Sequence, residues 1–564
     1  MLKFYAVIRS FESKYQFAIL NLVIVMVFIT CLELLSVGMI IPLISGIINS
    51  SNEIKLPFIN EIFENDISIV DILFLFGLIY IFKTFFLIIF QKFKFKKIFQ
   101  IQSYLSNIVL NNYLYLPTKK LIGINTSEIT RNILNEIHMF VKSYLLNILD
   151  FILEIFITLS LIIFLLIYDP KTSLSVLFPI SIAGLLIYQL SKKKITKIGE
   201  ARQIFTKFTF QSITEIFTSI REIKIYQKED FASKSFNKVN SNKLESEQKQ
   251  AYYLILPRII LELIVVVCLL AVIANNVGKV DTDQLITTLA LFGVTSIKIF
   301  PSINKIVTTF QRLKFADPAT RLITKEIKKF KQDKKIKINL QEHKVYENWK
   351  KIIIKDLNFS FGEKEIFKNL NLEINKSEKI CLMGESGTGK TTLLNLLLML
   401  YESKNKYLYI DNEEAETRSW NQMISYLPQD IFLFDASIKD NITFMETENE
   451  FNKDKFNYAL KVSELNSLIS KLPSKEDEIV AEFGMKFSGG QKQRIGIARS
   501  FYKSRDIMIF DESTSQLDQA SEEKIVNNLI STNKTVIFVT HKKHLRKFFT
   551  KVLQIKDKNI TEIE

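Results

Sequence analysis

Gly384-Glu385-Ser386-Gly387-Thr388-Gly389-Lys390-Thr391 is the stretch that decides the reading of this chain. An apolar strand pattern, Ile380-Cys381-Leu382-Met383, runs into it, and a helical pattern, Thr392-Leu393-Leu394-Asn395-Leu396-Leu397, runs out of it. That strand-loop-helix context is what a phosphate-binding loop requires. Glycines let the backbone close around phosphate oxygens, while successive N–H groups and the helix N-terminus supply positive potential. Lys390 is placed to reach the β and γ phosphates of a nucleotide, and Thr391 to hold Mg²⁺.

Three further stretches follow in order. Phe487-Ser488-Gly489-Gly490-Gln491 opens a helix; Ile507-Met508-Ile509-Phe510-Asp511-Glu512 is a buried strand ending in two carboxylates; Val536-Ile537-Phe538-Val539-Thr540-His541 is another strand, ending in a histidine. In this order and spacing the chain resembles the ATP-binding cassette (ABC) family, with Walker A, signature, Walker B and switch histidine all present. The resemblance implies an α-helical transmembrane domain of six spans, of the exporter type, followed by an α/β P-loop ATPase domain.

The resemblance also implies roles. Gly384, Glu385, Ser386, Gly387, Thr388, Gly389, Lys390, Thr391 and Thr392 would bind ATP, together with Gln429, Ser488, Gly489, Gly490 and Gln491. Phe361 sits where the family has an aromatic that stacks on adenine; the alternative is a core strand residue. Thr391, Gln429 and Asp511 would hold Mg²⁺. Glu512 would be the general base for the attacking water, and His541 would contact the γ-phosphate. Asp518 corresponds to the D-loop, with Gln516 where a small residue is usual, and Phe487 replaces the usual leucine of the signature. The signature binds ATP held by another copy's P-loop. A chain with one of each therefore pairs head to tail as a homodimer of twelve spans.

The composition of the 564 residues shifts sharply near residue 315, from long Ile-, Leu- and Phe-rich runs to ordinary α/β patterning. We read 1–315 as a transmembrane domain, 316–345 as a basic linker and 346–564 as the nucleotide-binding domain. The formal charge of +15 comes from lysines beside apolar spans and in the linker, which is membrane-surface bias rather than a nucleic-acid surface. Cys31, Cys268 and Cys381 have no paired spacing, so neither a disulfide nor a zinc framework is implied. The first apolar run is too long for the core of a cleaved signal peptide and reads as the first span.

Spans are expected near Phe17 to Ile41, Ile69 to Phe90, Leu145 to Tyr168, Thr172 to Leu190, Tyr253 to Ala274 and Gln284 to Phe300. The connections after the second and fourth spans are long and lysine-rich, which puts them and the ATPase in the cytoplasm, the resemblance making the membrane a bacterial inner membrane. Segment 49–68, in the first outer connection, is either a short amphipathic piece on the membrane or an ordinary loop. Leu116 to Ser127 and Ser219 to Asp230 resemble the coupling helices by which ABC exporters press on their ATPases.

Charged residues stranded in spans are costly in hydrocarbon and must be paired or face a wet cavity. Glu33, Lys83, Glu154, Arg258, Glu262, Lys298 and Lys305 are such residues. Internal pairing, such as Glu262 with Arg258, is one reading. The other is that Lys83, Arg258, Lys298 and Lys305 line a substrate cavity suited to a diphosphate. Glu33 with Pro42, the basic Lys83 in the second span, Pro257-Arg258 with Glu262, Pro301-Ser302 with Asn304-Lys305, and the run Tyr426 to Phe434 are similar to bacterial lipid-linked oligosaccharide flippases. That resemblance implies an undecaprenyl-diphosphate glycan as cargo, moved from inner to outer leaflet at the expense of ATP. The alternative is an exporter of another lipid, a peptide or a small molecule; one type of peptide exporter adds an N-terminal cysteine protease domain, for which this chain has no room. A non-transport ABC ATPase is at odds with six spans, and a receptor with ATP as a mere ligand would tolerate loss of Glu512 or the signature.

Overall fold

The computed structural model describes residues 2–38, 69–276, 300–338 and 346–563, apart from 117, 169, 347, 386, 402, 404 and 481–485. Segment 49–68, Ser386, Lys298 and nearly all of the expected sixth span lie outside the described residues. The chain divides into two compact units, a helical one ending at Lys337 and an α/β one from Ile338 onward.

In the helical unit a short helix, α1 (Leu2–Arg9), precedes α2 (Ser13–Gly38), and both join one buried core through Val7, Leu22 and Met26. Next come α3 (Ile69–Leu114), α4 (Leu146–Tyr168), α5 (Pro170–Thr218), the short α6 (Ile220–Ile225), α7 (Glu229–Asn276) and α8 (Asp317–Ile338). The helix α3 has 46 residues and α5 has 49. At ~1.5 Å per residue each is roughly twice as long as the ~30 Å hydrocarbon layer is thick, so both continue past the membrane. Among the described residues four segments are long and apolar enough to cross a bilayer: Ser13–Ser36, Leu73–Leu114, Thr126–Ile163 and Glu229–Cys268. They overlap expected spans one, two, three and five, several extending well beyond the expected ends, and the expected fourth lies inside α5. The segment read as a basic linker is helical over Asp317–Ile338.

Beyond the expected spans these helices share buried apolar residues such as Leu105, Ile137 and Ile323, and polar contacts join them as well. Glu136, fully buried, accepts from Arg202 and Gln203 of α5 at 3.0 Å, and Asn112 of α3 donates to Glu326 of α8 at 3.0 Å.

The α/β unit has two sheets. The smaller contains β1 (Lys351–Phe361), β2 (Lys364–Asn375), β4 (Leu408–Ile410) and β5 (Glu413–Glu414) in the order β2-β1-β4-β5. The larger contains β3 (Lys379–Met383), β6 (Ile424–Leu427), β7 (Ile507–Asp511), β8 (Thr535–Val539), β9 (Lys551–Lys556) and β10 (Asn559–Glu562) in the order β10-β9-β3-β8-β7-β6. All its pairings are parallel except that of β10 with β9. Strands β3, β7 and β8 are buried along their whole length, as apolar runs without alternation must be when both faces are covered.

Candidate functional site

In a parallel sheet, ligands collect at the carboxyl ends of the strands. Leu382 of β3 pairs with Val539 of β8, and Val539 pairs with Asp511 of β7, so three strands end level. The phosphate loop leaves β3, His541 follows β8, Asp511 and Glu512 end β7, and Gln429 follows β6. The order has β8 between the P-loop strand and the Asp511 strand, so the carboxylates face the loop across the switch strand.

The loop runs into α9 (Lys390–Leu397). Gly389 has φ +104°, and a Cβ there would lie 3.0 Å from Ile366 Cγ2 and 3.1 Å from Phe367 Cζ. Conformation and space both demand glycine. Lys390 folds back along the loop, its Nζ donating to the carbonyls of Gly384 at 2.8 Å and Glu385 at 2.9 Å. Burial pulls its pKa below the ordinary lysine value, with Glu512 and Asp511 acting in the opposite sense. Thr391 is exposed and Thr392 half-buried.

Asp511 is buried, and desolvation, reinforced by the neighbouring Glu512, pushes its pKa up to about 6; Lys390 and a hydrogen bond with Tyr426 oppose the shift. A buried carboxylate held near neutrality gains most from a nearby cation. The residues expected to hold Mg²⁺, Asp511 with the exposed Thr391 and Gln429, would offer only oxygen donors, the hard type that suits Mg²⁺.

Glu512 has φ +47°, an unusual conformation for a residue with a side chain, and its N–H donates to Val539 O at 3.1 Å. Such strain, about 1–3 kcal/mol, persists only where surrounding contacts impose it. The turn aims its carboxylate between two partners: Oε1 lies 2.6 Å from His541 Nε2, and Oε2 accepts from Gln429 Nε2 at 3.4 Å. Three residues from three strand ends, read separately in the sequence, thus meet.

Ser488 caps α10 (Gly489–Lys503) in a reciprocal arrangement with Gln491: Gln491 N donates to Ser488 Oγ at 3.3 Å, and Ser488 N donates to Gln491 Oε1 at 2.8 Å. Phe487 is buried in the core, which explains why an aromatic ring serves in place of leucine. At the end of β1, Phe361 is 48% exposed and sets its edge against Phe359 and Tyr401, with centroids at 5.0 and 5.6 Å. An aromatic held by neighbours with a free face is what stacking on a base requires.

Two features escaped the sequence reading. Gln516 packs directly on the signature, so that a Cβ at Gly489 would fall 1.8 Å from its Oε1. Its only signal was its departure from a small residue. Glu522, on α11 (Gln519–Ile530), is almost fully buried and takes Lys542 Nζ at 2.9 and 2.8 Å, with His544 Nε2 at 3.5 Å. This ties the helix behind Asp518 to the residue after His541, and no motif announces it.

The membrane cations are not alike. Lys83, buried, lies 2.8 Å from Glu33 Oε2 and donates to Ser36 Oγ at 3.1 Å. Lys305 pairs with Glu154 at 2.7 Å. Arg258 is exposed, and neither it nor Glu262 has an ion-pair partner among the described residues. Internal pairing therefore accounts for Lys83 and Lys305, whereas the anticipated pair of Glu262 with Arg258 is not formed.

A family model described as "ABC transporter transmembrane region" matches residues 19–297, and one described as "ABC transporter" matches residues 367–515. The chain is 30% identical over 350 residues to the lactococcin-G-processing and transport ATP-binding protein LagD of Lactococcus lactis, covering 58% of this chain and 47% of that protein. It is 26% identical over 424 residues to the uncharacterized ABC transporter ATP-binding protein y4gM of Sinorhizobium fredii, covering 70% and 67% respectively. The chain spans about half the length of LagD and of the lactococcin-A transport/processing protein LcnC, at 47% and 49%. Its structure is similar to that of a bacterial Atm1-family ABC exporter with ATP bound, at TM-score 0.78 and 18% identity over 98% of this chain and 95% of that one. The fold is that of an exporter.

Proposed function

We infer the function of this chain from the family it belongs to, the ABC transporters, whose transmembrane region and ATPase it carries in that order. It is an ATP-driven exporter that works as a homodimer in a bacterial inner membrane, its ATPase on the cytoplasmic side. The observation that carries the reading is Glu512, aimed by His541 and Gln429 at the strand ends where the phosphate loop opens. Backbone N–H groups from Gly384 to Thr391 and the Lys390 ammonium cradle the phosphates, Lys390 exchanging its loop carbonyls for phosphate oxygens. Thr391, Asp511 and Gln429 would hold Mg²⁺, which would supply positive charge beside the phosphates. Glu512 accepts the proton of the attacking water, and His541 orients the carboxylate and meets the γ-phosphate. Phe361 stacks on the adenine. Ser488, Gly489, Gly490 and Gln491 of one copy close on the nucleotide of the other, and hydrolysis releases the closed pair.

The cargo we propose is an undecaprenyl-diphosphate oligosaccharide, flipped from inner to outer leaflet; it rests on the flippase resemblance. With Lys83 and Lys305 paired, Arg258 is the described cation left to meet a diphosphate, and Lys298, outside the described residues, is the other one the proposal calls on. A second reading, a peptide cargo, is favoured by the two relatives named for lactococcin transport. ATP turnover of the purified protein in lipid nanodiscs separates them, with Glu512→Gln as the baseline, its turnover lower by about 10²–10⁴-fold. Stimulation by the lipid-linked glycan, lost in Arg258→Ala and Lys298→Ala, supports the flippase reading. Indifference to the glycan with a response to peptides removes it and leaves the exporter.

A further inference from the structure

Beyond transport, the helical unit contains a cavity of about 580 Å³ between α1 and α8. Ala6 and Val7 form one side, and a single face of α8 forms the other, with Arg321, Lys325, Lys328 and Lys329 and one acid, Asp317. The opposite face of α8 is anchored, since Ala319, Ile323 and Ile327 are fully buried. Its cationic face is therefore turned to the cavity by packing. The lining is nevertheless mostly apolar, because lysine and arginine stems and the α1 side chains supply the walls while the charged heads stay at the rim.

The charges at the rim are not balanced. Arg321 is paired with Glu200 at 2.7 Å and Asp317 at 3.2 Å, and Lys329 with Glu326 at 2.9 Å. Lys325 and Lys328, a helical turn apart and exposed, have no ion-pair partner among the described residues. The α1 wall also lies next to the first span in the chain, for α1 ends at Arg9 and that span opens at Ser13. An apolar trough rimmed by unneutralised cations beside the start of a span matches an amphiphile with an anionic head. On the lysine bias of the connections this is the cytoplasmic side.

We propose that this cavity binds an anionic phospholipid of the cytoplasmic leaflet, its phosphate against Lys325 and Lys328 and an acyl chain along Ala6 and Val7. The full-length protein in neutral detergent is titrated with phosphatidylglycerol or phosphatidylcholine, and bound lipid is counted by native mass spectrometry. Phosphatidylglycerol is retained in preference to phosphatidylcholine, and Lys325→Ala/Lys328→Ala weakens that retention roughly tenfold to thirtyfold. The control, Lys234→Ala/Lys238→Ala, removes two exposed lysines of α7 and leaves retention unchanged. Equal binding of the two lipids, undiminished retention in the α8 variant, or an equal loss in the control overturns the proposal. So does displacement of the lipid by millimolar glycerol phosphate, which would make this a site for a soluble anion. None of these readouts uses ATP, so they are independent of the proposed activity.

Discussion

At the scale of single residues, Asp511 is the position where the proposed function opposes stability. Its carboxyl has a raised pKa, about 6 against an ordinary 3.8, because burial and Glu512 both disfavour the charge. A carboxylate whose folded pKa is raised favours the folded state only where it is protonated. The cost is absent below about pH 3.8, grows as pH rises through about 6 and is complete above it. Asp511→Asn is therefore expected to stabilise the nucleotide-free protein at pH 7.5 by on the order of 2 kcal/mol, and by much less at pH 4.5. Thermal unfolding of the detergent-solubilised chain measures this; an equal gain at both pH values would mean the charge is not the cause. Most of the candidate site was legible from the chain, since Gly389, Lys390, Asp511, Glu512 and His541 are each announced by their neighbours. Gln516 on Gly489 was not, because a side chain that packs over a turn leaves no local pattern.

At the scale of elements, the ion pair between α2 and α3 is the informative contact. Glu33 and Lys83 are both buried, and Lys83 also sits 4.4 Å from the Tyr80 ring centroid. Removing either partner leaves a buried charge uncompensated, which costs about 3–5 kcal/mol, whereas replacing both with apolar groups of similar volume is close to neutral. We expect Lys83→Ala and Glu33→Ala each to lower the unfolding temperature sharply, and Glu33→Leu/Lys83→Met to recover most of the loss. A double variant as unstable as the sum of the single ones would mean the pair is not a unit. A loss of transport in Lys83→Ala is thus no sign of cargo contact. The tip of the fourth-to-fifth span connection carries exposed Phe217, Ile225, Tyr226 and Phe231 around α6. Apolar groups in that number on a helical tip are the chemistry of a docking surface, which fits the coupling-helix resemblance.

At the scale of the whole molecule, each chain carries one phosphate loop and one signature, so the proposed site is complete only between copies. Mixing Lys390→Ala chains with Ser488→Arg chains tests this. Each is expected to be inactive alone, while the mixed dimer pairs the intact loop of one with the intact signature of the other. Its ATPase activity should recover to as much as half of one wild-type dimer, and absence of recovery despite demonstrated mixing would argue against a shared site.

The chain order alone determined the two-part architecture and the nucleotide chemistry, because strand-loop-helix signals and apolar runs are contiguous and need no partner to be read. Only the tertiary structure decided which charges are available. Glu33 finds Lys83, Glu154 finds Lys305 and Glu522 finds Lys542 across helix faces and strand ends far apart in the chain. Spacing along one helix says which residues share a face, but not which face of another element lies opposite. That is why Arg258 and Glu262, neighbours on one helix, were the pair anticipated, and why the unneutralised cations of α8 came to light only once α1 was seen beside them.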